Sequence, residues 1–151
     1  MIRMVALAAG VASLGALALP ALVHADDQDV IDYREHIMKT MGAQADAIEL
    51  ILQHKLPSDD DSNIAAHTKA LALAASTAKA AFAMNVAGGQ AKPNVWTDSA
   101  GFNKRMDELA SNTDALAKAA ETGGVEAVAS RIQSALTCKG CHDQYREQKK
   151  K

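Results

Sequence analysis

Residues 26–55, DDQDVIDYREHIMKTMGAQADAIELILQHK, decide how this chain folds. An inward stripe runs through Ile31, Arg34, Met38, Met41, Ala45, Ile48 and Leu52, with steps of 3, 4, 3, 4, 3 and 4. That spacing is the seam of a helix packed in a bundle. Asp26, Asp27 and Asp29 suit a helix N-terminus, both as caps and against the helix dipole. Leu56-Pro57 stops the helix. Two members of the stripe stand out. Arg34 is a charge among apolar residues, where charges are rarely buried unless paired. Met38 and Met41 place two thioethers one turn apart, which core filling by itself explains.

The same periodicity continues outward. Ser58-Asp59-Asp60-Asp61-Ser62 reads as a turn, followed by a second, Ala-rich helix over residues 60–87 with a stripe of Ile64, Leu71, Ala75, Ala78 and Phe82. His67 lies near that stripe and reads as a partly exposed structural histidine, with ligation as its alternative; His36 and His54 fall off the first seam and read as surface. Gly88-Gly89-Gln90-Ala91-Lys92-Pro93-Asn94 is a loop, with the single tryptophan, Trp96, just after it as a plug for one end of the bundle. A third helix starts at Asp98 or Ser99, carries Phe102, Met106, Leu109, Thr113, Leu116 and Ala120 inward, and ends at Thr122-Gly123-Gly124. A fourth is expected from Val125 to about Gln148, with Val125, Val128, Ile132 and Ala135 inward and His142 in phase with them. Lys149-Lys150-Lys151 forms a basic tail.

Composition agrees. Of 151 residues, 48% are hydrophobic but only 3% aromatic, so the apolar content is mostly Ala, Leu, Val, Ile and Met. Such content favours helix over sheet. The expected fold is all-α: an antiparallel up-down four-helix bundle in one domain, residues 26–151. The formal net charge of −2 gives no nucleic-acid surface.

Near the end stands Cys138-Lys139-Gly140-Cys141-His142, the C-x-x-C-H pattern of c-type haem attachment. Two thiols three apart on a helix share a face and reach two vinyl groups on one porphyrin edge. The imidazole that follows can sit under the iron. A thioredoxin-like pair would need a βαβ context, and a zinc site more ligands than these two cysteines supply. A plain disulfide is the remaining alternative. With haem present, a stripe methionine becomes a candidate iron ligand, and Arg34 a partner for a propionate.

Residues 1–25 carry Arg3, then an uncharged Ala/Leu/Val/Gly run, then Val23-His24-Ala25. This reads as a secretory signal cleaved after Ala25. The competing membrane anchor is weak because the run is rich in Ala and Gly, so no stable membrane insertion is expected. Export fits covalent haem attachment, which takes place outside the bacterial cytoplasm, and the expected location is the periplasm.

The mature chain resembles the class II cytochromes c, the family of cytochrome c′ and low-spin cytochrome c-556. Cys138 to Arg146 looks like its C-terminal signature, C-x-x-C-H-x-x-Y-R. Tyr33-Arg34, Met38 and Met41-Gly42 look like its first-helix pattern, and Lys92-Pro93-Asn94-Val95-Trp96-Thr97-Asp98 like its K-P-x-x-W-x-D loop. The resemblance implies one covalently attached haem c near one end of the bundle. Cys138 and Cys141 would form the thioethers and His142 the proximal ligand. Arg146 would lie on the proximal side, Arg34 by the haem edge and Met38 on the distal side. Met41, Phe82 and Tyr145 complete the set expected to contact haem.

Two functions follow. The first is a one-electron carrier with His142/Met38 axial ligation and a periplasmic redox partner protein. The alternative is a five-coordinate cytochrome c′ that binds NO or CO, with Met38 as the distal gate. Homodimers and monomers both occur in the family. The sequence has no nucleophile–base pair, phosphate loop or paired catalytic acids, so no enzyme activity is expected.

Overall fold

Asp26 starts the first helix with a reciprocal capping box. Its carboxylate accepts the Asp29 N–H at 2.8 Å, and the Asp29 carboxylate accepts the Asp26 N–H at 3.3 Å. The computed structural model describes residues 26–53 and 63–148. Residues 1–25, read from the sequence as an expected export signal, together with His54, Leu56-Pro57, the turn over residues 58–62 and the basic tail, lie outside the described residues.

Helix α1 spans Asp27–Leu52 and buries Val30, Arg34, Met41, Ile48 and Ile51. The seam holds at its middle, where Arg34, Met41 and Ile48 repeat every seven residues. At each end it turns by one residue: Val30 and Ile51 are buried, while Ile31 and Leu52 are half-buried. Helix α2, Ile64–Ala78, buries Ile64, Thr68, Leu71, Ala74, Ala75 and Ala78. It packs against both α1 and α4, the central position its small residues permit. It is shorter than the sequence suggests: after Ala78 the chain tightens into a 3₁₀ turn, Ala80–Phe82.

A short α3, Asn94–Thr97, buries Val95. Asp98 then caps α4, Ser99–Ala129, by accepting the Gly101 N–H at 3.3 Å. Helix α4 buries Phe102, Met106, Thr113, Leu116, Ala117, Ala120 and Val128. Gly124, at φ +57° and ψ −146°, is not helical and divides this span into two helices across a kink, as the Gly123-Gly124 pair leads one to expect, so Val128 lies on the fourth arm.

The fourth arm corrects the sequence-based expectation of one continuous helix. After Ala129 the chain breaks at Ser130-Arg131, resumes as α5, Ile132–Ala135, breaks again at Leu136-Thr137, and resumes as α6, Cys138–Tyr145. No proline or glycine lies between Val125 and Lys139, so nothing local forces these breaks. Leu136 leaves helical geometry at φ −104° and ψ 85°. The result is a four-helix bundle whose last arm is re-aimed so that α6 borders a cavity near one end. Among the described residues no helix is long and apolar enough to cross a membrane.

Candidate functional site

The cavity beside α6 has a volume of about 520 Å³. It lies in the range of small-molecule and cofactor sites. Every site residue expected from the sequence lines it: Cys138, Cys141, His142, Tyr145 and Arg146 from the C-terminal arm, Arg34, Met38 and Met41 from α1, and Phe82 from the 3₁₀ turn.

Cys138 and Cys141 are both free thiols. Burial raises the Cys138 thiol above its ordinary range. Burial also raises the Cys141 thiol, offset in part by the Arg105 guanidinium. Both therefore stand protonated at neutral pH. His142 shifts the other way. Burial lowers its pKa and Arg146 adds to this, against an opposing pull from Asp143. The imidazole is therefore neutral at pH 7, the form that ligates iron.

Arg34 is 3% exposed. Its Nη1 donates to the Val86 carbonyl at 2.8 Å and its Nη2 to the Gly88 carbonyl at 3.5 Å. The guanidinium lies 5.2 Å from the Trp96 ring centroid and 5.6 Å from that of Phe82. Burial lowers its pKa, with Glu35 acting against that. Among the described residues no carboxylate forms an ion pair with it. It does not snorkel to solvent. It holds loop 86–88 against α1, where a Cβ on Gly88 would meet Ile31 Cδ1 at 2.6 Å.

Tyr145 is 4% exposed and donates its hydroxyl to Asp98 Oδ2 at 2.7 Å. That bond, with burial behind it, pushes its pKa up to about 12. A Cβ on Gly101 would lie 2.5 Å from Asp98 Oδ2 and 2.8 Å from Tyr145 Oη, so a glycine leaves the room this pair needs. The Tyr145 ring stands edge-on to Phe102 at 5.2 Å, and Phe102 contacts Phe82 at 5.0 Å.

Among the described residues the other histidines, His36 and His67, lie elsewhere. His67 Nδ1 pairs with Gln44 Oε1 at 2.8 Å, and His36 Nδ1 donates to the Asp32 carbonyl at 2.6 Å; neither lines the cavity. Trp96 donates its indole N–H to the Phe82 carbonyl at 3.1 Å and also stays out of the lining. Sequence reading gave Arg105, Met106 and Leu109 no site role, yet all three line the cavity from α4. Met106 and Leu109 were legible as stripe residues. Arg105 lies beside that stripe, and no periodicity singles it out.

A family model described as Cytochrome C' matches residues 29–146. The chain belongs to the cytochrome c′ family. Its cofactor is accordingly haem c, covalently attached. The cytochrome c′ of Pararhodospirillum photometricum is 33% identical over 128 residues, covering 82% of this chain and all of that protein. The cytochrome c′ of Alcaligenes xylosoxydans xylosoxydans is 27% identical over 126 residues, covering 83% of this chain and 98% of the relative. Two solved structures of cytochrome c prime from Alcaligenes xylosoxidans are also similar. One is a ferrous arginine-to-lysine variant with bound NO, with a TM-score of 0.75 and 26% identity over 84% of this chain and 100% of that one. The other is a leucine-to-glycine variant with bound carbon monoxide, with a TM-score of 0.74 and 26% identity over 82% and 98%.

Proposed function

We propose that this protein is an exported cytochrome c′ that binds NO or CO at a five-coordinate haem. The observation that carries this reading is membership of the cytochrome c′ family, together with similar solved structures that hold NO and CO. Cys138 and Cys141 anchor the haem: each thiol S–H adds across a vinyl double bond, so no group leaves. His142 supplies the proximal nitrogen, and burial keeps it neutral for that task. Bound there, the haem iron supplies an open coordination position for a diatomic gas.

Met38 lies half-buried on the cavity wall, on a different element from His142, and acts as a gate over the open face. Met41 and Phe82 supply apolar walls, and Arg146 adds positive charge beside His142. Arg34 is a buried cation without a carboxylate, so a haem propionate at the cavity edge would compensate it. Under this reading residues 1–25 are the cleaved export signal, the mature protein works in the periplasm, and a redox partner keeps the iron ferrous.

The second reading keeps Met38 as an iron ligand in a low-spin electron carrier. It draws on one observation: Met38 and His142 line the same cavity. Optical spectra of the holoprotein, ferric and ferrous, with and without CO, separate the two. A high-spin ferric spectrum whose ferrous form shifts with CO is expected. A low-spin spectrum unmoved by CO, lost in Met38→Ala but kept in Met41→Ala, would establish the carrier instead.

A further inference from the structure

The end of α6 is finished by a segment some fifty residues earlier in the chain. A helix leaves its last four carbonyls without partners inside it. In α6 these belong to His142, Asp143, Gln144 and Tyr145. The His142 carbonyl accepts from the Arg146 N–H at 3.0 Å. The other three go to residues 92–94. Lys92 Nζ donates to the Asp143 carbonyl at 3.0 Å, Asn94 Nδ2 to the Gln144 carbonyl at 2.9 Å, and the Lys92 N–H to the Tyr145 carbonyl at 3.0 Å. Beyond them the Glu147 N–H donates to the Gln90 carbonyl at 2.8 Å, and Ala91 bridges to Arg146. The Tyr145–Asp98 bond ties the same turn to the cap of α4.

This clasp matters because α6 has little else. It has 8 residues, well below the roughly 12–15 at which an isolated helix becomes even marginally stable. Leu136-Thr137 uncouples it from α5, and Tyr145 is its one buried residue.

We propose that Lys92, Asn94 and Asp98 are positioning residues for the His142 imidazole. By holding the terminal carbonyls of α6 and the Tyr145 hydroxyl, they fix the axis of a helix too short to fix itself, and so aim the ring at the iron. The proposal rests on the reading of His142 as the proximal ligand. The test is the proton NMR spectrum of the ferric holoprotein, whose haem-methyl shifts depend on the orientation of the axial imidazole in either coordination state. Asn94→Ala and Asp98→Ala should reorder or compress those shifts, and Asp98→Asn, which keeps an acceptor for Tyr145, should restore them. Lys92→Met removes one solvent-facing contact and should move them least; it is the variant most certain to fold. Leu116→Ala, away from the cavity, should lower Tm with the methyl pattern unchanged. Methyl shifts identical to wild type in all the clasp variants, with only Tm lowered, would overturn the proposal. A wild-type spectrum from His142→Gly would instead overturn the ligand assignment, and the proposal with it. The spin state of the wild type, read from the same spectrum, tests the five-coordinate reading separately.

Discussion

Around Leu116 the protein is held by apolar contact; around α6 it is held by hydrogen bonds. In the first region Ile48, Ile51, Leu71, Leu116 and Val128 are each 2% exposed or less, and the buried Thr68 and Thr113 hydroxyls return to their own helices' carbonyls. In the second, α6 buries Tyr145 and hangs from the Lys92–Asp98 segment, with the free thiols of Cys138 and Cys141 beside the cavity. Helices sheathed in side chains can specify one another by shape alone. A helix beside an open cavity lacks that core on one side, so its position depends on hydrogen bonds to its terminal backbone groups.

The largest effect should come from the second region. Replacing both cysteines, Cys138→Ala with Cys141→Ala, should abolish covalent haem altogether, read as loss of haem staining on a denaturing gel. Retained staining would break the comparison, because α6 would no longer be the anchoring element. Next comes the apolar region. Leu116→Ala should cost about 2–5 kcal/mol in denaturant unfolding, the usual range for a buried leucine. A cost well below that would mean the packed region has slack.

Tyr145→Phe removes a hydrogen bond to a carboxylate and should cost about 1.5–3 kcal/mol. This loss should depend on pH. The folded pKa of Tyr145, about 12, lies above its ordinary value, so its contribution is full below about pH 10 and fades as pH rises through the folded value. Thermal melts between pH 9 and 12 should therefore converge for wild type and Tyr145→Phe at the alkaline end. A constant gap would remove the Tyr145–Asp98 bond from the account. The smallest effect is expected at the surface. Lys39→Ala breaks an exposed i,i+4 pair with Glu35 at 3.2 Å and should change stability by no more than about 0.5 kcal/mol. A larger change would mean that Lys39, which lines the cavity mouth, does more than decorate α1.

The contrast also explains what could be read ahead of the structure. The core of α1, α2 and α4 was legible because helical burial has a period: Arg34, Met41 and Ile48, or Phe102, Met106, Thr113 and Leu116, announce their face by spacing. The seam slipped at Val30 and Ile51 because a regular 3.5-residue repeat drifts against a real helix at its ends. The cavity set was legible because C-x-x-C-H has a chemical spacing and because Met38 and Arg34 were anomalies on an otherwise apolar stripe. Arg105 was hidden, since an exposed arginine beside a stripe looks like any surface charge. The breaks at Ser130-Arg131 and Leu136-Thr137 were hidden too, since the fourth arm keeps a helical apolar pattern straight through them.

The sequence by itself determined the helical class, the inward faces of the main helices and the C-x-x-C-H spacing of residues 138–142, because periodicity and reactive spacing are local properties carried by a few neighbouring residues. The tertiary structure alone decided where the last arm bends, why Arg34 can be buried, and which residues close the end of α6. The last two depend on groups about fifty positions apart, such as Arg34 with Val86 or Asn94 with Gln144. Their hydrogen bonds leave no period in the sequence, and they form only once the bundle has brought the two segments together.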